Sequence, residues 1–180
     1  TCHEFGHQLG LPDLYDTTNA SDQTRVGMWC LMDYGTWIDS GRKPSQLSAW
    51  CKKYLSWIDP ALPTATDISL KNVENNQTGS CYKINISGVS TEYFLIEYRK
   101  KNSAPQISDL AIPGEGILVW HIDEAIINEI VTVSGTTDTR LNLNVINVDN
   151  TKHLSIRVEE ADKRYDMRSS KGEATDVFFK

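Results

Sequence analysis

Apolar and polar positions change period along this chain. Residues 1–9 carry the end of a helical pattern, which Gly10 stops and Pro12 keeps stopped. Residues 13–44 hold no sustained period and are rich in Asp, Thr, Ser and Gly. Trp29, Leu31, Met32 and Trp37 lie among them and need burial, so the stretch reads as a long functional loop and not a linker. A helix is predicted next. Pro44-Ser45 starts it; Leu47, Trp50, Cys51, Tyr54, Leu55 and Ile58 recur at i, i+3, i+4, i+7, i+8 and i+11; Asp59-Pro60 ends it. Its Trp50/Tyr54 face is expected in the core. Beyond residue 65 the period becomes two, and Tyr82/Ile84/Ile86, Tyr93 to Tyr98, Ile117 to Ile122, Leu141 to Val148 and Leu154 to Val158 read as strands. The chain is thus helical and loop-rich to about residue 62 and β-rich after it, an α+β pattern.

Composition supports a buried core. Of 180 residues, 39% are hydrophobic and 23% charged. The net charge of −6, with no Lys/Arg block, argues against nucleic acid as a partner. No apolar run approaches the roughly 18 residues of a membrane span. Thr1 is not Met and a motif helix begins at once, so the chain reads as a fragment whose upstream part is absent. The four cysteines (Cys2, Cys30, Cys51, Cys81) leave three full pairings open, and none is in CxxC spacing. Asn19, Asn76 and Asn85 open glycosylation sequons, which are mute in a bacterial protein.

The first residues, TCHEFGHQLGLPDLYD, bring in chemistry. Four apart on a helix, His3 and His7 lie on one face and can grip one cation from a rigid element. Glu4 beside them is placed as a general base for a metal-activated water. Zinc suits such ligands, and a catalytic zinc takes three protein ligands and keeps one position open. One zinc-peptidase type draws its third ligand from a later Glu, but no Glu occurs between Glu4 and Glu74. The other type turns the chain at a Gly and returns a ligand six residues after the second His. His3, Glu4, His7, Gly10 and Asp13 fit that pattern with Asp in the last place; Asp16 is the second candidate. Such sites carry a Met in a tight turn beneath the metal. VGMWCLMDYGTW supplies Met32 for it, with Met28 the lesser candidate, and Tyr34 is a candidate oxyanion donor or metal neighbour.

Weaker signals remain. His121 and Asp123 alternate on a strand and face one side, which reads as a hydrogen-bonded structural pair before a second metal site. His153 reads as a surface strand residue. The run from Glu97 to Lys101 reads as a solvated strand end. Asp16, Asp22, Asp162, Asp166 and Asp176 form no recognisable calcium-loop spacing.

HEFGHQLGLPDLYD, VGMWCLMDYGTW, LSAWCKKYLSWIDP, EYFLIEYR, PGEGILVWHIDE and VEEADKRYD, in that order, resemble consecutive blocks of the M6 peptidases. These are immune inhibitor A-like metalloproteases of the metzincin clan. The resemblance implies a secreted bacterial zinc endopeptidase acting on proteins or peptides, made with a propeptide and further domains. It implies His3, His7 and Asp13 as zinc ligands and Glu4 as base. It makes residues 1–62 the C-terminal part of a metzincin-like catalytic domain and 63–180 a β-rich extension packed on it. The upstream catalytic half would then be missing, and the fragment alone would bind zinc poorly and cleave little. It would also let Glu97 and Arg99 brace neighbouring loops. GEATDVF stands where the family tends to be more acidic, so calcium is not claimed. Two rival readings are a non-catalytic module with a relic site and a zinc hydrolase of non-peptide substrates.

Overall fold

The computed structural model describes residues 2–19, 23–64, 68–73, 79–103, 108–148 and 153–178. Asp22 and the Asn76 sequon lie outside them.

The first helix, α1 (Cys2–Gln8), ends as its sequence demands. Gly10 adopts φ 91, the left-handed conformation that glycine enters without steric cost. The Gly10 N–H donates to the His7 carbonyl and the Leu11 N–H to the Gly6 carbonyl, which closes the helix. The chain then reverses, and Leu11, Asp13 and Leu14 turn inward. α1 lies close against the Met32 segment. A Cβ on Gly6 would stand 2.6 Å from the Met32 sulfur, so this helix face tolerates only hydrogen at that position.

The long loop contains two short 3-10 turns, Gly27–Trp29 and Tyr34–Trp37. The buried Asp33 carboxylate holds them together. Its Oδ2 accepts the N–H groups of Arg25, Val26 and Gly27 at 2.8, 2.7 and 3.1 Å, and its Oδ1 accepts that of Tyr34 at 2.7 Å. One side chain thus supplies the partners that secondary structure would otherwise give four backbone donors. Trp29 and Met32 are fully buried as expected, and Leu31 is half-buried. Trp37 is not buried: 65% of it is exposed.

Helix α2 (Ala49–Tyr54) is shorter than the 44–58 periodicity predicts. Ser48 caps it by accepting the Cys51 N–H at 3.2 Å, so the residues before it stay non-helical. Ser56 at φ 58 follows its last turn. Trp50 is buried, but Tyr54 is 42% exposed and stacks on Trp50 from outside, with ring centroids 5.2 Å apart. Only the Trp50 half of the predicted core face is core.

The β-rich part is built on a four-stranded antiparallel sheet in the order β1-β2-β3-β6, from β1 (Cys81–Asn85), β2 (Glu92–Arg99), β3 (Gly116–Asp123) and β6 (Ile156–Val158). On β2 the buried positions are Tyr93, Leu95, Glu97 and Arg99, a strict alternation. A one-turn helix α3 (Glu124–Ile127) follows β3, and β4 (Ile130–Val133) and β5 (Thr136–Thr139) form a separate hairpin. Helix α4 (Met167–Ser170) comes near the end. The predicted strand at 141–148 is absent: these residues form successive turns. Asn144 and Asn147 bond inward instead, while Asn142 is exposed. Asn147 Nδ2 donates to the Leu14 and Ile156 carbonyls at 2.9 and 2.8 Å.

One core runs through both parts of the chain. Leu14, Trp29, Met32 and Trp50 cluster with Leu95, Leu118, Trp120 and Ile122 from the sheet. The fold is mixed helix and sheet, in agreement with the α+β expectation.

Candidate metal centre

The reversal after Gly10 brings Asp13 back over the face of α1 that carries both imidazoles. Asp13 Oδ1 lies 3.2 Å from His3 Nε2 and 3.2 Å from His7 Nε2. The outer nitrogens are already committed. His3 Nδ1 is 2.9 Å from the Leu31 carbonyl, and His7 Nδ1 is 2.8 Å from the Leu11 carbonyl. A carbonyl only accepts, so each Nδ1 carries a proton, and each neutral ring turns its Nε2 lone pair toward the carboxylate. Two lone pairs would then face a third anionic oxygen, an arrangement that repels unless a proton or cation lies between. Asp13 Oδ1 is buried and has no hydrogen-bond partner. A tetrahedral zinc with bonds near 2.0–2.1 Å separates neighbouring ligand atoms by about 3.3 Å. The donor set and its spacing therefore fit such an ion.

Electrostatics agree with this frame. The Asp13 carboxylate beside it raises the His3 pKa, against the opposing effect of burial. Burial pushes Asp13 upward, but the His3 imidazole beside it and the Asn144 amide outweigh that, and its pKa is lowered. Burial pushes Asp33 up to about 6 against its four backbone donors.

Asn144 is a site residue that the sequence reading missed. Its Nδ2 donates to Asp13 Oδ2 at 2.7 Å, and its Oδ1 accepts the Asp13 N–H at 2.6 Å. It thereby fixes the second carboxylate oxygen and leaves Oδ1 aimed at the imidazoles. Nothing local marks it, because 131 residues separate the pair. Tyr15 is the other omission. Its ring stacks on His3 with centroids 6.4 Å apart, and its phenol is pushed up to about 12 by burial and then by Asp13.

Asp16, the second candidate ligand, faces away. Its Oδ2 pairs with Arg25 at 2.8 Å and its Oδ1 accepts from Thr18. Met32 is the methionine against α1, whereas the Met28 N–H bonds to the Lys171 carbonyl. Glu4 is exposed, and with His3, Tyr15, Tyr34 and Trp37 it lines an open cleft of about 500 Å³. The Tyr34 ring lies under the Lys171 ammonium at 4.3 Å.

Other sequence expectations change. Glu97 and Arg99 are fully buried, so they are no solvated strand end; Arg99 Nη1 donates to the Trp29 carbonyl at 2.9 Å and braces the loop before Met32. His121 and Asp123 do not bond each other. His121 Nε2 meets Glu92 at 2.9 Å, while Asp123 caps α3. His153 is half-buried beside them, not a surface strand residue. Glu160, Asp162 and Asp176 converge without any loop spacing to announce it. All four cysteines are free thiols.

A helix-borne His pair joined by an Asp from the following turn is a donor set that could hold a metal ion, and a Glu stands at the cleft beside it. The comparisons name the family. The family model for the Immune inhibitor A peptidase M6 catalytic domain matches residues 1–58. The chain is 42% identical over 55 residues to the pre-pro-metalloprotease PrtV of Vibrio cholerae, a stretch covering 29% of this chain and 6% of that protein. It is 39% identical over 54 residues to Immune inhibitor A of Bacillus thuringiensis subsp. alesti, covering 29% of this chain and 8% of that one. The stretch it shares is thus less than a tenth of the length of these curated relatives. No solved structure matches it. Residues 1–58 are thus similar to the catalytic domain of the M6 peptidases.

Proposed function

We propose that this chain carries the metal-binding part of a zinc endopeptidase that hydrolyses peptide bonds of extracellular proteins. The observation that carries the reading is the placement of Asp13 Oδ1 3.2 Å from both imidazoles, whose other nitrogens are held by carbonyls. His3, His7 and Asp13 would hold the zinc. When bound, zinc polarises the scissile carbonyl and lowers the pKa of a coordinated water to about 7.

This chain's residues do the rest. The Leu31 and Leu11 carbonyls fix both imidazole tautomers, and Asn144 fixes the Asp13 rotamer. Glu4, on the cleft wall beside His3, accepts the proton of the attacking water and returns it to the leaving amine. Tyr34 faces the same cleft and supplies a hydrogen bond to the oxyanion as it develops. Met32 and Gly6 set how closely α1 approaches the loop. In this reading residues 1–62 are the C-terminal part of a metzincin-like domain and 63–180 a β-rich extension, with secretion from a bacterium as the destination. Among the described residues no helix is long and apolar enough to cross a membrane.

Zinc uptake tests the reading. Elemental analysis of the folded chain should give one equivalent fewer for Asp13→Ala than for the wild type. Equal uptake by the two would refute Asp13 as a ligand. Asn144→Ala should keep the stoichiometry but weaken that equivalent by about 10–100-fold, the usual cost of losing a residue that orients a ligand; competition with a zinc chelator reads this directly.

A further inference from the structure

A second convergence of metal-ligating side chains lies across the sheet from α1, at the start of β2 and the end of β3. The antiparallel register pairs Glu92 with Asp123 and Phe94 with His121. His153, shortly before β6, stacks its ring on that of His121, with centroids 5.1 Å apart. Glu92 Oε2 lies 2.9 Å from His121 Nε2 and 3.6 Å from His153 Nε2. Asp123 Oδ2 lies 3.1 Å from His153 Nε2.

Ordinary hydrogen bonding does not account for this group. His153 Nε2 is buried and has no hydrogen-bond partner, although two carboxylate oxygens stand within reach. The ring nitrogen therefore points between the oxygens and not along a bond to either. The same signature marks the first site, where Asp13 Oδ1 is the buried orphan between two imidazoles. Asp123 also divides its labour. Its Oδ1 accepts the Ala125 and Ile126 N–H groups, which leaves Oδ2 free to face His153. His121 is buried, with its Nδ1 unpartnered and Glu159 3.8 Å away. The Glu92 spacings of 2.9 and 3.6 Å to the two imidazoles bracket the roughly 3.3 Å between ligands of a tetrahedral zinc.

We propose that Glu92, His121 and His153 form a second site for a divalent transition-metal ion of the zinc type, with Asp123 beside the His153 ring. Two imidazoles and one carboxylate supply three ligands, and Asp123 Oδ2 stands 3.1 Å from His153 Nε2 at their edge. Imidazole nitrogens select zinc, cobalt or nickel over calcium and magnesium. The ion would tie residue 153, and so the β6 segment, to the β2–β3 pair.

Metal-free chain, wild type and with Asp13→Ala, Glu92→Gln or His153→Gln, would be loaded with zinc and, separately, with cobalt. Circular dichroism checks that each variant is folded. The expected uptake is one equivalent fewer for each variant than for the wild type. Asp13→Ala should keep the visible absorption of four-coordinate cobalt, and its double variant with His153→Gln should lose it. Unchanged uptake in both Glu92→Gln and His153→Gln would overturn the proposal. If those two lose an equivalent and Asp13→Ala does not, the second site stands and the reading of the first fails.

Discussion

Under the proposed endopeptidase activity, Glu4→Ala is expected to retain zinc and lose at least about a hundredfold in turnover on a protein substrate. Glu4 is exposed on α1 and lines the cleft next to His3, so its removal disturbs no packing. It also takes no part in the His3–His7–Asp13 cluster. A loss of activity with full metal content would therefore locate the defect in proton transfer. The carboxylate has two tasks, to take a proton from water and to give one to the leaving amine, and an alanine performs neither. Glu4→Gln keeps the shape and should be nearly as damaging, because an amide cannot relay the proton. Wild-type turnover in either variant would remove Glu4 from the mechanism. Full zinc binding with no turnover in the wild-type protease would instead favour a relic site. Faster cleavage of small esters than of casein would favour a non-peptide hydrolase.

The parts legible in the sequence share one property: their causes are local. His3, Glu4, His7, Gly10 and Asp13 lie within one helix and its stop, and their spacing dictates which face they share. β2 alternates throughout and β3 over its first half, because there each strand buries one face. The hairpin of β4 and β5 was also legible and was missed. Ser134 and Gly135 both take positive φ, 49 and 84, the two-residue turn that Ser-Gly between Val/Thr runs announces. The rest depends on distant partners. Asn144 meets Asp13 only in the fold, and Glu92, His121 and His153 meet only through strand register and the approach to β6. In residues 141–148, Asn144 holds Asp13 and Asn147 satisfies buried backbone, a cause that mimics a strand's pattern without its geometry.

Arg99→Met should be the most destabilising single change outside the metal centre. Arg99 is fully buried, and its guanidinium binds Asp109 through two bonds, Nε to Oδ2 at 2.8 Å and Nη2 to Oδ1 at 2.6 Å. Nη1 reaches the Trp29 carbonyl and, at 3.1 Å, Glu97 Oε1, which also accepts the Trp120 indole N–H at 2.9 Å. Asp109 in turn accepts the Gln46 N–H at 2.8 Å. Burial alone would lower the arginine's pKa, but Asp109 and Glu97 outweigh it and hold the charge in place. Methionine fills much of the volume and leaves Asp109 and Glu97 buried without their cation. Breaking such a group from one side costs about 3–5 kcal/mol. For a chain of this size that is a fall in melting temperature of roughly 6–20 °C. The damage should also reach the metal centre, because the Trp29 carbonyl precedes by two residues the Leu31 carbonyl that orients His3. Adding Asp109→Asn to Arg99→Met should restore part of the loss, since it removes a charge that has lost its partner. Arg42→Met, at an exposed pair with Asp39, should leave the melt unchanged. Calorimetry on the three variants and the wild type decides it: a shift below about 2 °C for Arg99→Met would mean that water or a shifted Lys52 replaces the guanidinium, and that the loop before Met32 is held by packing alone.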